Sequence, residues 1–329
     1  MPENKPLVTI VIPVFNEQDA LPAFHQQLTA AVNHLPYDFR FLYVNDGSAD
    51  ATSQILDGIQ KNEPRMEVLE LSRNFGHQAA ITAGMSKAQG DYVLTMDGDG
   101  QHPPELIKDM LALIAQGFDM VLTQRVEEKE ASFKNWTSRI FYRLINWIGD
   151  TNITPGGADF RLMSRQVVDA INSMPEHHRF LRGMVAWAGY KKVILPFQPP
   201  HRIAGKSKYS LRKMVRLSMD AVFSFSLVPL YISISLGLLF LLLSVVEVIY
   251  VLSFWVSGRQ DLLAPGWSSL MFVLLFVGGT LMIALGIIGI YIGYIFQQVK
   301  WRPVYLVRKF LPAATVEKDE GSNQSVSNE

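Results

Sequence analysis

Two long apolar stretches in the C-terminal third constrain most strongly what this chain can fold into. Ser226–Trp255 carries a single charge, Glu247, and Trp267–Phe296 carries none. About 20 apolar residues suffice to cross the hydrocarbon core of a bilayer, so each stretch is long enough to span one. Both exceed the ordinary length of a globular helix, which argues against a pair of buried core helices. Tyr231, Trp255, Trp267, Tyr291 and Tyr294 lie near their ends, as interfacial aromatic belts require.

The flanks orient these spans. Arg202, Lys206, Lys208, Arg212, Lys213 and Arg216 precede the first, and Lys300, Arg302, Arg308 and Lys309 follow the second. In the short link between them, Arg259 and Asp261 cancel, and Pro265 and Gly266 break helix. Positive charge on both flanks puts them in the cytoplasm and the link outside. No signal-peptide pattern opens the chain. The expected organisation is a cytosolic domain over 1–209, a juxtamembrane helix over 210–225, spans over 226–255 and 267–296 joined by an external link over 256–266, a cytosolic segment over 297–312 and a disordered, Ser/Asn/acid-rich tail over 313–329. This predicts a multi-pass inner-membrane protein with both termini cytoplasmic.

The net charge of zero, from 30 basic and 30 acidic residues, conceals this polarity. Residues 1–200 hold 18 Lys/Arg and 23 Asp/Glu, whereas residues 201–309 hold 11 and 3. The basic share lies where a membrane and lipid phosphate would be met, and no nucleic-acid partner is expected. The absence of cysteine excludes disulfides and any Cys-ligated metal.

Ahead of the spans the pattern alternates. Apolar runs at Leu7–Val14, Phe39–Val44, Met66–Leu71, Asp91–Met96 and Phe118–Thr123 read as buried strands. Helical segments near Glu17–His34, Ala49–Gln60, Gly76–Gln89 and Pro103–Gln116 separate them. Such alternation predicts a mostly parallel sheet with its site at the strand C-terminal ends. Phe133–Ile148 reads as an amphipathic interfacial helix, with Lys134, Arg139 and Arg143 among Trp and Phe.

The chemistry-bearing clusters fall at those strand ends. Asp97-Gly98-Asp99-Gly100-Gln101 places two carboxylates two residues apart, which repel unless a cation lies between them. Oxygen ligands from Asp97, Asp99 and Gln101 suit Mg2+ or Mn2+, which would neutralise a nucleotide diphosphate. Phe15 offers a flat ring for a base, and Glu17 and Asp46 offer acceptors for base and ribose groups. Dinucleotide and P-loop glycine fingerprints are missing from the sequence. Arg202, Lys206, Ser207 and Lys208 lie in one flexible stretch before the first span, suited to a lipid phosphate. His77 and His102 flank the metal loop without metal-ligand spacing and read as structural or surface residues.

Taken together, Val11-Ile12-Pro13-Val14-Phe15-Asn16-Glu17, Asn45-Asp46-Gly47-Ser48-Ala49-Asp50, Ser72-Arg73-Asn74-Phe75-Gly76, Asp97 to Glu105, Asp159-Phe160-Arg161-Leu162 and Arg202 to Tyr209 resemble the family 2 glycosyltransferases of GT-A fold, specifically the polyprenyl-phosphate glycosyltransferases. The resemblance implies an α/β GT-A domain, mostly parallel, followed by amphipathic helices and two transmembrane helices. It implies that Pro13, Phe15, Glu17, Asp46 and Asp97 bind the nucleotide, and that Asp97, Asp99 and Gln101 hold the metal. Asp159 would sit beside the sugar, so Asp99 and Asp159 are the candidate catalytic residues. Arg125, Arg202 and Lys208 would meet the phosphates. The family often has Asp-Asp-Gly-Ser where this chain has Asn45-Asp46-Gly47-Ser48, and Asp-Ala-Asp-Leu-Gln where it has Asp97 to Gln101; the ligand residues are kept.

The implied reaction is inverting transfer of a hexose, with UDP-glucose the first expectation, to polyprenyl (undecaprenyl) phosphate. GDP-mannose, UDP-GlcNAc and an amino-pentose donor stay open. A lipid-binding scaffold with a degenerate sugar-nucleotide domain is the competing class, and the intact Asp97, Asp99 and Gln101 argue against it. Small residues at Gly278, Gly279, Gly286, Gly289 and Gly293 suit helix packing and a homo-oligomer.

Overall fold

A computed structural model describes residues 5–126, 156–177, 179–200, 228–258 and 266–313. The expected amphipathic helix over 133–148, the basic stretch with Arg202 and Lys208, the juxtamembrane helix over 210–225, most of the link and nearly all of the tail lie outside the described residues.

The first five strands and four helices alternate as expected: β1 (Leu7–Val14), α1 (Leu21–Val32), β2 (Asp38–Asn45), α2 (Thr52–Gln60), β3 (Met66–Leu71), α3 (His77–Lys87), β4 (Tyr92–Thr95), α4 (Leu106–Ala115) and β5 (Met120–Arg125). Three helices begin several residues later than the apolar pattern suggests, because Asn16 to Asp19, Asp46 to Asp50 and Asp97 to His102 are spent on loops. Further elements follow: β6 (Gly157–Ser164), α5 (Arg165–Ser173), α6 (Leu181–Trp187), β7 (Lys192–Phe197), α7 (Val228–Val256), α8 (Trp267–Val299) and β8 (Val307–Leu311).

The sheet runs β7-β5-β6-β4-β1-β2-β3-β8. Pairs β1–β2, β1–β4, β2–β3 and β5–β7 are parallel, whereas β6 runs antiparallel to both β4 and β5, and β8 antiparallel to β3. The domain is therefore α/β with a mostly parallel sheet. The continuous apolar run of β1 has a direct cause. Val8, Ile10, Ile12 and Val14 pack into the core beneath α1 and α4, while Val11 packs on the opposite face with Ala80 and Ala83 of α3. A strand covered on both faces has no polar side to alternate with.

The last strand is the element the sequence pattern hides. β8 lies beyond α8, yet it pairs with β3, about the far edge of a sheet built from the N-terminal region. Ser72 N donates to Leu306 O at 2.9 Å, the Gln60 amide reaches Leu311 O and Pro312 O, and Tyr305 and Ser86 hydroxyls share a 2.6 Å hydrogen bond. One residue before its end, α8 is held as well: Gln298 Oε1 accepts from His177 N at 2.7 Å, and its Nε2 donates to Pro175 O at 2.6 Å. The sheet domain is thus clasped to the end of α8 from two directions.

Helices cover both apolar stretches, with 29 residues in α7 and 33 in α8. Among the described residues, one stretch, Phe276–Val299, is long and apolar enough to cross a membrane by length and composition, and Leu230–Phe240 forms a shorter apolar piece.

Candidate active site

Parallel pairing brings three loops to one edge. Register aligns Val14 with Asn45, and Val11 with Thr95, so the loops after β1, β2 and β4 emerge together. The first two are stitched to each other. Asn16, with φ of 53°, donates from its backbone N to Ser48 Oγ and accepts at Oδ1 from Ala49 N. Glu17 N donates to Thr52 Oγ1, Gln18 N to Asp50 Oδ2, and Ala51 N to Gln18 Oε1. Pro13 is buried in β1 opposite Val44, and Phe15 and Glu17 are half-buried in this double loop. The ring and carboxylate expected beside a base therefore sit on a braced platform.

Asp46 takes a more specific part than the sequence suggests. Its two carboxylate oxygens accept from Phe75 N at 2.7 Å and Gly76 N at 2.9 Å, tying down the loop between β3 and α3. Burial pushes its carboxyl up from the ordinary value, against the opposing pull of these two donors. Gly47 beside it has φ of 66°, and a Cβ there would stand 2.5 Å from Arg73 C and 2.7 Å from Asn74 N. Only glycine lets the two loops approach this closely.

The Asp97–Gln101 loop is braced from below. Asp97 N donates to His102 Nδ1 at 2.9 Å, which leaves the ring proton on Nε2. His102 is fully buried, stacks on Phe160 at 5.1 Å and meets Phe197 edge-on. Burial lowers its pKa, so the ring is neutral at pH 7. Arg125, at the end of β5, brings Nη2 to 3.5 Å from His102 Nε2. Gly98 presses on β1, where a Cβ would come 3.0 Å from Val14 Cγ1. Asp99 Oδ1 accepts from Gln101 N at 3.0 Å.

The donor set fits a divalent cation in one respect that is visible here. Asp97 Oδ1 is buried and has no hydrogen-bond partner, and a hard cation satisfies such an oxygen. Among the described residues no three His, Cys, Asp or Glu side chains converge as a complete metal site. Asp97, Asp99 and the Gln101 amide would supply part of the coordination, and phosphate oxygens the rest, as Mg2+ sites commonly do.

Asp159 enters this edge from β6, because the antiparallel register sets Arg161 opposite Thr95 at the end of β4. Its carboxylate is nearly buried and is crowded by cations. Arg161 Nη2 donates to Oδ1, and Arg182 donates from Nη2 to Oδ2 at 3.0 Å and from Nε to Oδ1 at 3.3 Å. His77 Nε2 lies 3.6 Å from Asp159 Oδ2 and 3.4 Å from Asp97 Oδ1. Burial opposes ionisation of Asp159, but Arg182, Arg161 and His77 prevail and hold its carboxyl well below the usual range. Burial pulls the His77 imidazole down, while Asp97 and Asp159 together raise it to about 9.

Four of these residues were not singled out as functional by the sequence. His77 and His102 read as structural, which fits His102; His77 instead bridges the two carboxylates. Arg161 lies in a quoted segment without an assigned role, and Arg182 carries no local signal, since its partner is 23 residues away on another element.

The family model for glycosyl transferase family 2 matches residues 9–171. The "Uncharacterized glycosyltransferase YkcC" of Bacillus subtilis is 39% identical over 302 residues, covering 92% of this chain and 93% of its own. The "Bactoprenol glucosyl transferase" of Shigella phage SfII is 34% identical over 309 residues, covering 92% of this chain and 97% of its own. Among solved structures, mannosyl-3-phosphoglycerate synthase from Rubrobacter xylanophilus aligns with a TM-score of 0.48 and 19% identity, over 65% of this chain and 71% of its own. Identity sustained over nine-tenths of both chains, on a sheet whose strand ends carry the paired aspartates, makes this chain a glycosyltransferase and a member of glycosyl transferase family 2.

Proposed function

We propose that the protein transfers glucose from UDP-glucose to a polyprenyl phosphate at the cytoplasmic face of the inner membrane, with inversion and with help from Mg2+ or Mn2+. One observation carries the reading most: a buried carboxylate oxygen of Asp97 that accepts no hydrogen bond lies 3.4 Å from His77 Nε2, in a domain clasped to the end of an apolar helix. The name of the phage relative supplies the sugar and the lipid class.

Sheet continuity supports two membrane crossings. β1–β7 precede α7 and β8 follows α8, yet all belong to one sheet. A sheet lies on one side of a bilayer, so the chain between β7 and β8 crosses an even number of times. If α8 crosses, a single span is topologically impossible, and α7 is the apolar helix available for the return.

Chemically, an oxygen of the lipid phosphate attacks the anomeric carbon as the bond from that carbon to the UDP oxygen breaks. The new bond forms on the opposite face, and UDP departs with the electron pair. A phosphate monoester has a second pKa near ~6 and is largely dianionic at neutral pH, so no strong protein base is required. Asp159 suits that economy: held ionised by two guanidinium groups, it positions them and orients substrate. Phe15 and Glu17 serve the nucleoside, Asp46 fixes the neighbouring loop, and Arg125 with Arg202 and Lys208 serves phosphate. Asp97, Asp99 and Gln101 would hold the cation, which would stabilise charge on the leaving diphosphate.

The test is a donor panel of labelled UDP-glucose, UDP-GlcNAc, GDP-mannose and an amino-pentose nucleotide with undecaprenyl phosphate. UDP-glucose is expected to give labelled lipid at the highest kcat/KM. Preference for another donor replaces the sugar assignment, and failure of all donors overturns the lipid reading.

A further inference from the structure

Resting on the lipid-phosphate reading above, the geometry points to Arg182 as the residue that receives the acceptor's phosphate group at the reaction centre. Three cations surround Asp159, and they differ in reach. The Arg161 side chain is 6% exposed and Asp159 itself 8%, whereas Arg182 keeps 28% of its side chain exposed. Arg182 is thus the more solvent-facing of the two guanidinium groups, braced by a bidentate contact with Asp159; the His77 side chain is 35% exposed, but its Nε2 is turned between Asp97 and Asp159. A guanidinium fixed by two hydrogen bonds to a carboxylate is oriented before substrate arrives and loses little freedom on meeting a phosphate.

Its place in the chain indicates which phosphate. The segment leading into α6 is bonded to Gln298 at the end of α8 through Pro175 O and His177 N. Five residues after His177 comes Arg182, so α6 joins the end of the apolar helix to the Asp159 cluster. Arg179, the other described cation on this path, is turned away: its Nη1 and Nη2 donate to Ile171 O and Met174 O. A lipid phosphate approaching along α8 meets Arg182, while the nucleotide loops lie on the strand ends of β1, β2 and β4. Asp159 is then a positioning residue for Arg182, which gives a reason for burying a carboxylate beside two arginines.

Donor diphosphate shares the chemistry of acceptor phosphate, so the experiment separates them. Wild type, Arg182→Gln and Arg182→Lys are compared in membranes by varying donor and undecaprenyl phosphate independently. Arg182→Gln is expected to raise the acceptor KM at least tenfold, with the donor KM within twofold; Arg182→Lys, which retains the charge, falls between. Added guanidinium ion is expected to restore part of the acceptor kcat/KM of Arg182→Ala, a response that a purely structural role does not give. An unchanged acceptor KM in Arg182→Gln, or an increase confined to the donor KM, overturns the assignment. Should Arg182→Gln fail to fold, the lysine variant carries the same comparison. A wild type that transfers nothing to polyprenyl phosphate overturns the underlying reading; active wild type beside variants with unchanged acceptor KM overturns this assignment alone.

Discussion

At Asp159 two guanidinium groups and an imidazole converge on one nearly buried carboxylate. Removing that charge leaves Arg161 buried without its counter-ion, a change that costs roughly 3–5 kcal/mol in comparable buried pairs. Asp159→Asn is therefore expected to lower the denaturation midpoint of the solubilised protein strongly. The sign with pH follows from the depressed folded-state pKa. The stabilisation is fully present above the unfolded carboxylate value of about 4 and is lost as pH falls through the folded value. The stability gap between wild type and Asp159→Asn should begin to shrink as pH falls below about 4, the unfolded carboxylate value, and go on shrinking toward the folded value; a gap that grows over that range contradicts the ion-pair account. Asp99 differs, being half-exposed with one backbone donor to Oδ1. Asp99→Ala should cost at least about 100-fold in kcat, the scale of losing electrostatic stabilisation at a reacting centre, while leaving the thermal midpoint near that of wild type.

At the scale of elements, the loops are held by neighbours rather than by their own turns. The contact of Gly47 with Arg73 and Asn74 makes Gly47→Ala a test of this: positive φ and a Cβ at 2.5 Å should together cost roughly 1–3 kcal/mol and raise the donor KM, measured by nucleotide-sugar titration. Truncation after Pro303 should expose the edge of β3 and lower the melting temperature, because β8, Tyr305 and the Leu306 carbonyl all leave together. The alternating core was legible in the sequence because strands covered on both faces demand unbroken apolar runs. β8 was not: Val307-Arg308-Lys309-Phe310-Leu311 carries charges that an edge strand tolerates, with Arg308 near Glu70 and Lys309 near Asp57. The strands β6 and β7 also escaped a pattern search. β6 holds Asp159 and Arg161 at buried positions, made tolerable by their pairing with each other and by the contacts of Asp159 with Arg182 and His77. The Asp97–Gln101 loop was legible as a candidate site from its spacing, whereas Arg182 and His77 join it only through tertiary contacts.

For the whole molecule, the absence of cysteine makes membrane topology directly testable, since any introduced thiol is the only one present. Ser257, at the end of α7, and Ser173, at the end of α5, are both exposed. A membrane-impermeant maleimide should label Ser257→Cys in intact spheroplasts and Ser173→Cys only after permeabilisation; equal labelling of both contradicts two crossings. On the proposed reading, the clasp of Gln298 and β8 would set the height of the Asp97–Asp159 centre above the bilayer, where a lipid phosphate would be met. The central claim is metal-assisted hexose transfer at that centre to a lipid phosphate. Its most direct measurement is the formation of labelled lipid from UDP-[14C]glucose and undecaprenyl phosphate by membranes carrying wild type or Asp99→Ala, with Mg2+ or Mn2+ and with chelator. The account predicts labelled lipid from wild type with a divalent cation, and none above background from Asp99→Ala or under chelation; equal product in all three conditions would contradict it.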